Sequence, residues 1–224
     1  YTVESTIGLD VNSTLQITVN AKERVLALTT LNEDSVIVLD DMNLKNVDLD
    51  VAVNALIGSM LRHGYVYELT NSIPLSVESS DSQKGTDLQQ RLSDEISGLL
   101  RSHSVDGAVL AQTVPEDDRL KSLAEEHGIS VGKAALVDQL VRLDDTLAFD
   151  DVAQRSINDI NLLLSSHRTE LDGITTHGHA SSQADIGEEA AKRAAADYLE
   201  THKDQLQMEK LKLGLDDGRM VHQI

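Results

Sequence analysis

The stretch TIGLDVNSTLQITVN, residues 6–20, contains a peptide bond of a reactive type at Asn12-Ser13. A side-chain amide and a hydroxyl flank one backbone carbonyl. Asn12 can attack its own carbonyl through its side-chain nitrogen, forming a succinimide and releasing the Ser13 amine. Ser13 can attack the same carbonyl through its hydroxyl, an N-to-O acyl shift that water then completes. Both routes are intramolecular, so proximity replaces an external nucleophile. Both need a strained backbone, because a relaxed planar amide is a poor electrophile. Asp10 is the candidate for proton transfer, since in an extended strand it shares a face with Asn12. The alternative is an Asn-Ser turn or bulge, in which the side chains satisfy local backbone groups and the bond stays intact.

Other groups of chemically capable residues read differently. His177-Gly178-His179, with His167 nearby, is the one histidine cluster. His-x-His can bind a metal, but this pair lies among small polar residues without a cysteine or a fixed carboxylate. It reads as linker, and no metal or cofactor is expected. Asp216-Asp217-Gly218 lacks the alternating ligands of a calcium loop and reads as a hairpin turn. The acidic pairs Asp117-Asp118, Glu125-Glu126, Asp144-Asp145 and Asp150-Asp151 fall at helix ends or solvated faces. Ser104, Ser130 and Ser156 lack a nucleophile-elbow context. The Val131-Gly132-Lys133 triplet lacks the spaced glycines of a phosphate loop. Gly132 reads as part of a helix start and Lys133 as solvent-facing. Turnover of an external substrate is not expected.

Composition bounds what these residues can serve. The chain has 224 residues, 40% of them hydrophobic, enough for one large domain or two small ones. Aromatics are 2% and Trp is absent, so the core is built from Leu, Val, Ile and Ala. A carbohydrate-binding face of exposed rings is excluded for the same reason. The net charge of -19 repels nucleic-acid phosphate and anionic membrane surfaces. Without cysteine there are no disulfides, thiolate metal sites or thiol catalysis, which leaves the compartment open. No apolar run reaches the roughly 18 residues of a membrane helix. The start at Tyr1 reads as a fragment trimmed from something longer.

Elements must hold Asp10, Asn12 and Ser13 in place. Leu9, Val11, Leu15, Ile17 and Val19 alternate with polar residues, as one half-buried strand or two strands in line would. Strands are also expected in RVLALTTLN and SVIVLD, with turns at residues 20–23 and 32–34. A helix over DLDVAVNALIGSMLRHGY is capped by Asp48 or Asp50 and stopped at Gly64. Strands YVYELT and IPLSVESS follow, then a helix opened by Thr86 or Asp87, then the strand DGAVLAQTV. From Pro115 the pattern is helical: PEDDRLKSLAEEHG, SVGKAALVDQLVRLD with Ser130 as cap, and FDDVAQRSINDINLLLSS as one helix. Residues 166–184 lose periodicity and read as a linker. An Ala-rich helix and two strands close the chain.

Several of these residues resemble the extracytoplasmic module of RsgI-like anti-sigma factors. That family carries a Leu-Asp-Ile-Asn-Pro-Ser strand motif, an Asn-containing hairpin, a Val-rich strand and an Asn-Glu-Asp turn. Leu9-Asp10-Val11-Asn12, Asn20, Val25 and Asn32-Glu33-Asp34 match in order, as do Gly64-Tyr65, SVES at 76–79 and ISVGKAALVDQL at 129–140. The likeness covers about residues 3–145. The tail, IGEEAAKRAAADYL and LKLGLDDGRMVHQI, resembles one truncated PepSY-type unit. Together they imply an α/β (α+β) fold: a small, mostly antiparallel sheet with packed helices, a helical subregion, then a helix plus β-hairpin tail. The implied division is a sensor module at 1–165 (sheet part about 1–114, helical part about 115–165), a linker at 166–184 and a partial PepSY-like module at 185–224.

The resemblance also implies a single-pass membrane protein that senses an extracellular ligand or protein with this module outside the cell. A cytoplasmic domain beyond this chain would hold the sigma factor. Several relatives cleave themselves at the Asn-Pro bond, and the pieces stay associated until separated. Here Ser13 stands where relatives carry Pro, which leaves cleavage at Asn12-Ser13 open. The alternative function is a protein-interaction or protease-inhibiting module acting through the PepSY-like tail.

Overall fold

Alternation of apolar and polar residues at 5–19 produces a hairpin. In the computed structural model, which describes residues 2–11, 14–67, 72–105, 107–166, 174–178, 188–198, 212–216 and 219–223, β1 (Ser5–Asp10) pairs antiparallel with β2 (Thr14–Val19). The register joins odd residue to odd residue: Leu9 faces Leu15 and Ile7 faces Ile17. All four are fully buried on one side of the sheet. The two strands therefore fold back on each other instead of running in line, with residues 11–13 between them.

β3 (Val25–Thr30) extends the sheet from β2. The turn before it is held by Asn20, whose Oδ1 accepts from the Lys22 and Arg24 amides at 2.9 and 3.1 Å. Where a strand was expected at 35–40, the chain forms α1 (Glu33–Leu39). Asn32 and Ser35 make a reciprocal capping box, the Asn32 side chain accepting from the Ser35 amide at 2.9 Å and Ser35 Oγ from the Asn32 amide at 3.2 Å. Two cap bonds outweigh the β preference of Val36 and Ile37. α2 (Leu49–Arg62) follows, with Asp48 at its N-cap position.

β4 (Ser72–Ser79) pairs antiparallel with β1, and β5 (Ala108–Thr113) lies parallel to β4 after the crossover helix α3 (Ser82–Ser102). α3 starts earlier than Thr86, because Asp81 accepts from the Gln83 and Lys84 amides. Beyond β5 come α4 (Asp118–His127), α5 (Val131–Leu143), α6 (Phe149–Ala153) and α7 (Ile157–Ser166). The single helix expected over 149–166 is two, because Ser156 Oγ accepts from the Asp159 amide and caps a fresh start. Inside the stretch expected as a linker, β6 (Ile174–His177) pairs antiparallel with β5. The sheet order is β3-β2-β1-β4-β5-β6, antiparallel except for β4–β5. Of the strand expected at 65–70, residues 65–67 lie outside any of these strands and 68–70 outside the described residues.

One face of the sheet packs on α2 and α3 through Leu56, Ile57, Met60, Leu92 and Ile96. The other carries α5 and α7, where Leu110 meets Leu136, Leu140, Ile160 and Leu163. α8 (Glu188–Tyr198) and the hairpin of β7 (Lys212–Asp216) and β8 (Arg219–Gln223) form the tail. Leu215 and Met220 of that hairpin pack against the second core. The result is a mixed α/β fold with the expected helix and hairpin at the end.

Candidate buried acid cluster beside the β1–β2 connection

Asp10 ends β1 on the sheet face that α5 covers. Its pair with Thr14 closes the hairpin. The ladder from β1 to β4 stops at Leu9 and Leu75, one step before Pro74, which has no amide hydrogen to donate. β1 thus parts from β4 where Asp10 stands. The far end of the connection is tied elsewhere: the Leu31 amide donates to the Thr14 carbonyl at 3.0 Å and the Thr14 amide to Asn32 Oδ1 at 3.3 Å. Asn12 and Ser13, the candidate bond, lie outside the described residues.

Small residues bring α5 down onto this point. A Cβ on Gly8 would lie 2.4 Å from Ser76 Oγ, and one on Gly132 would lie 2.4 Å from Ser76 Oγ and 2.6 Å from Ser76 Cβ. With neither present, the first turn of α5 rests on β1 and β4. Gln112 Nε2 donates to the Gly132 carbonyl at 2.7 Å and holds it there. Ser130, the N-cap residue, then does two things. Its Oγ accepts from the Lys133 amide at 2.9 Å and donates to Asp10 Oδ2.

Asp10 is 1% exposed, and its Oδ1 has no hydrogen-bond partner among the described residues. Burial pushes its pKa above the ordinary carboxylate value. The Ser130 hydroxyl, then Thr14, then the Lys133 charge act in the opposite direction without cancelling the rise. Lys133 is half-buried, not solvent-facing as its sequence context suggested, and its Nζ donates to the Arg155 carbonyl at 2.8 Å. Burial lowers its pKa, against the attraction of Asp10 and Asp159. A cavity of about 390 Å³ opens beside the cluster, walled by Gly8, Gln16 and Leu31 on one side and Ile129 and Ser130 on the other.

Such an arrangement can hold a proton and pass it over a short distance. A buried carboxyl with a raised pKa, one oxygen fixed by Ser130 and the other without a hydrogen-bond partner among the described residues, is one arrangement that can do so. The other groups weighed from the sequence stay apart from it. His177 lies in β6, with Nδ1 3.9 Å from Asp94 Oδ1, while His167 and His179 lie outside the described residues. No group of three or more His, Cys, Asp or Glu able to hold a metal occurs among the described residues. Asp117 caps α4 through the Arg119 and Leu120 amides. Asp217 and Gly218 lie outside the described residues, between β7 and β8.

The sequence profile of the anti-sigma factor RsgI-like central domain matches residues 4–139. The chain belongs to the RsgI-like anti-sigma factor family. The match runs from the residue before β1 to the body of α5, so it contains Asp10, Ser130 and Lys133 together. Curated relatives include three from Acetivibrio thermocellus. Anti-sigma-I factor RsgI7 is 25% identical over 157 residues, covering 70% of this chain and 28% of that protein. Anti-sigma-I factor RsgI9 is 25% identical over 158 residues, 69% of this chain and 22% of that protein. Anti-sigma-I factor RsgI5 is 23% identical over 166 residues, 71% and 34%. The chain thus spans between about a fifth and a third of these relatives' lengths. No helix among the described residues is long and apolar enough to cross a membrane.

Sequence reasoning reached Asp10 and Ser130 singly and missed Lys133. Nothing along the chain says that residues 10 and 130 touch. The one available signal was Gly132 two residues after a cap serine, a sign of a helix start pressed against another surface.

Proposed function

We propose that this chain is the extracytoplasmic sensing part of a membrane-anchored anti-sigma factor, regulating a sigma factor across the membrane. The observation that carries the reading is the position of β1 within a family-matched module. The strand nearest the chain start lies inside the sheet, hydrogen-bonded to β2 on one side and β4 on the other. Ile7 and Leu9 are fully buried, each contributing about 1.5–3 kcal/mol relative to exposure. Glu4 and Lys84 add an ion pair at 2.8 Å at its outer end. A membrane segment ahead of β1 would pull on a strand that the whole module grips. Displacing that strand is the physical link from an outside stimulus to a cytoplasmic domain that holds the sigma factor.

The finer reading is self-cleavage between Asn12 and Ser13. Breaking that bond would leave residues 1–12 held by the β1 ladders, their buried side chains, the Asp10–Ser130 hydrogen bond and the Glu4–Lys84 ion pair, a two-piece sensor that force or a ligand can separate. Turnover of an external substrate has no part in this. Residues 1–165 act as the sensor module and residues 185–224 as a PepSY-like appendage, its hairpin docked on the second core. The test is the intact mass of the purified chain under native and denaturing conditions. Two pieces after Asn12 that part only on denaturation support cleavage. A single full-length mass refutes it and leaves signalling to displacement of β1. The sensing role itself is tested in the parent protein with a sigma-dependent reporter: substitution of Leu9 by Ala should raise reporter output, and unchanged output would refute it.

A further inference from the structure

The cavity between the sheet and the helices has two unlike walls. One is the face of β1, β2 and β4, and the other is the turn from α4 into α5. Three glycines shape it. Gly132 lets α5 descend onto β4 at Ser76. Gly128, in the left-handed region at φ 63°, ends α4 and turns the chain so that the Ile129 amide donates to the Ala124 carbonyl at 3.0 Å. Across from that turn, Gly8 of β1 has no side chain to fill the space. We infer that this cavity of about 390 Å³ is a binding site for an aliphatic ammonium group, with the hydrocarbon stem inside and the cationic head at the mouth.

Size, wall and charge converge on that class of ligand. The volume lies within the roughly 300–1,000 Å³ of small-ligand sites. Leu31, Val114, Ala124, Ile129 and Val131 give it apolar walls. Leu31 is 45% exposed, so part of that wall stands in water until an apolar group covers it. The charged groups lining the cavity are Glu78, Lys121 and Glu125, two carboxylates against one ammonium. Lys121 shows that the mouth suits an ammonium: its Nζ lies 3.6 Å from Glu78 Oε1 and 3.1 Å from Glu116 Oε1. Because Glu116 is a second partner for Lys121, Glu78 can turn to a ligand without leaving Lys121 unpaired. Glu125 is exposed and in no ion pair among the described residues. The same carboxylates repel an anionic ligand, and the net charge of -19 draws cations toward the chain before contact.

An apolar stem laid on protein with its charged head in water is how a lysine side chain sits on a surface. The shared chemistry therefore comes from a free alkylamine or from a lysine of a peptide. The position of the site gives it a consequence. Ile129 and Val131 flank Ser130, whose hydroxyl donates to Asp10 at the end of β1. An occupant stands between β1 and the helix tied to it. As the entry point of a stimulus the site rests on the sensing reading above, whereas binding itself is independent of that reading.

The test is a methyl carbon-13 titration of the full chain with three probes of equal stem length: n-hexylammonium, n-hexanol and hexanoate. Shifts should concentrate at Leu31, Val114, Ala124, Ile129 and Val131. Hexylammonium should bind about threefold tighter than hexanol and about tenfold tighter than hexanoate at low salt. The preference should shrink toward unity at high salt. The double variant Glu78→Gln, Glu125→Gln should lose the preference and keep hexanol binding. Leu31→Ala, at an exposed position that folding tolerates, should weaken all three probes about threefold. N-acetyl-lysine methylamide separates the sources: binding equal to that of hexylammonium assigns the site to a peptide lysine, and its failure assigns it to a free amine. No shifts up to the solubility limit, shifts spread over the whole surface, or hexanoate binding as tightly as hexylammonium would overturn the inference. The reporter test of Leu9→Ala above involves none of these probes, so absent binding beside a responding reporter sinks the site and leaves the sensing reading standing. Binding beside an unresponsive reporter does the reverse.

Discussion

Substituting Gly132 by Ala tests the contact on which the cluster depends. The new Cβ would lie 2.4 Å from Ser76 Oγ and 2.6 Å from Ser76 Cβ, where carbons normally stay about 3.5–4.0 Å apart. Rotating the Ser76 hydroxyl cures the first clash. It leaves the second, because Ser76 Cβ is fixed to the backbone of β4. The first turn of α5 must therefore move by about 1 Å, loosening the Gln112 bond to the Gly132 carbonyl and the Ser130 bond to Asp10. Overpacking of this kind costs about 1–3 kcal/mol. Ala gains up to about 1 kcal/mol over Gly in a helix, so the net loss should be about 1–2 kcal/mol, or about 3–6 °C in Tm for a chain of this size. Gly8→Ala is the control: its Cβ also meets Ser76 Oγ at 2.4 Å, but Ser76 Cβ stands 3.8 Å away. Turning the hydroxyl suffices, and the change should stay within about 0.5 kcal/mol. Ser76→Gly should rescue Gly132→Ala, with a coupling energy of about 1 kcal/mol or more in a double-mutant cycle. Urea unfolding followed by circular dichroism gives the five stabilities, those of the parent, the three single variants and the double variant. Gly132→Ala as stable as the parent, or strict additivity with Ser76→Gly, would refute the account of how α5 reaches β1.

Leu9→Ala empties a fully buried site between β2 and β4 and should cost about 2–5 kcal/mol in urea unfolding, with the slope against denaturant unchanged. Asp10→Asn removes a buried group whose folded pKa is raised. Such a group contributes stability below the ordinary carboxylate range and loses it as pH rises through the folded value. The Tm difference between variant and parent should therefore shift in favour of Asp10→Asn as pH rises from the ordinary carboxylate range through the raised folded value, and a constant difference would contradict it. Asp138 behaves oppositely. Its hydrogen bonds to Arg119 at 2.8 and 2.7 Å, with Arg142 at 3.0 Å, hold its pKa below the ordinary value against its partial burial. That stability is present above the ordinary carboxylate pKa and lost as pH falls through the folded one. Asp138→Asn should cost about 1 kcal/mol near neutrality, allowing for exposed partners, and nothing in acid, as thermal melts at the two pH values would read.

The elements that local chemistry decides were legible along the chain. Ser130 and Asp117 cap helices that their sequences announce, and Asn20 makes the turn that its position suggests. Errors fell where two local signals compete. Val36 and Ile37 favour a strand by side-chain type, and the Asn32–Ser35 capping box, four residues wide, turned the segment into α1. Ser156 ended one apolar helical run and began another, because a cap works inside a periodic pattern as well as at its edge. The candidate site was legible only in part for a different reason. Asp10 is visible as an acid near a reactive bond, whereas its burial and its Ser130 and Lys133 neighbours arise from the stacking of α5 on the sheet. Periodicity reports which face of an element is apolar. It does not report which two faces meet.

The placement of β1 decides what removing it from the sheet would cost. An edge strand would leave its neighbour paired on the other side when removed, and its loss would be cheap and uninformative. β1 lies between β2 and β4, and on its covered faces it touches both cores' sides of the sheet: Ile7 and Leu9 toward α2 and α3, Asp10 toward α5. Its departure would open two backbone ladders and expose fully buried side chains, so under the proposed reading β1 would hold against thermal motion and yield only to added load or ligand energy. The Asp10–Ser130 bond ties α5 to the same strand. A ligand or partner that lifts α5 would free Asp10 and loosen the end of β1 at the same stroke, while one that presses α5 down would hold both. Gly8, Ser76 and Gly132 set how closely the helix sits on the sheet, so three small residues, and not the large core, fix that contact.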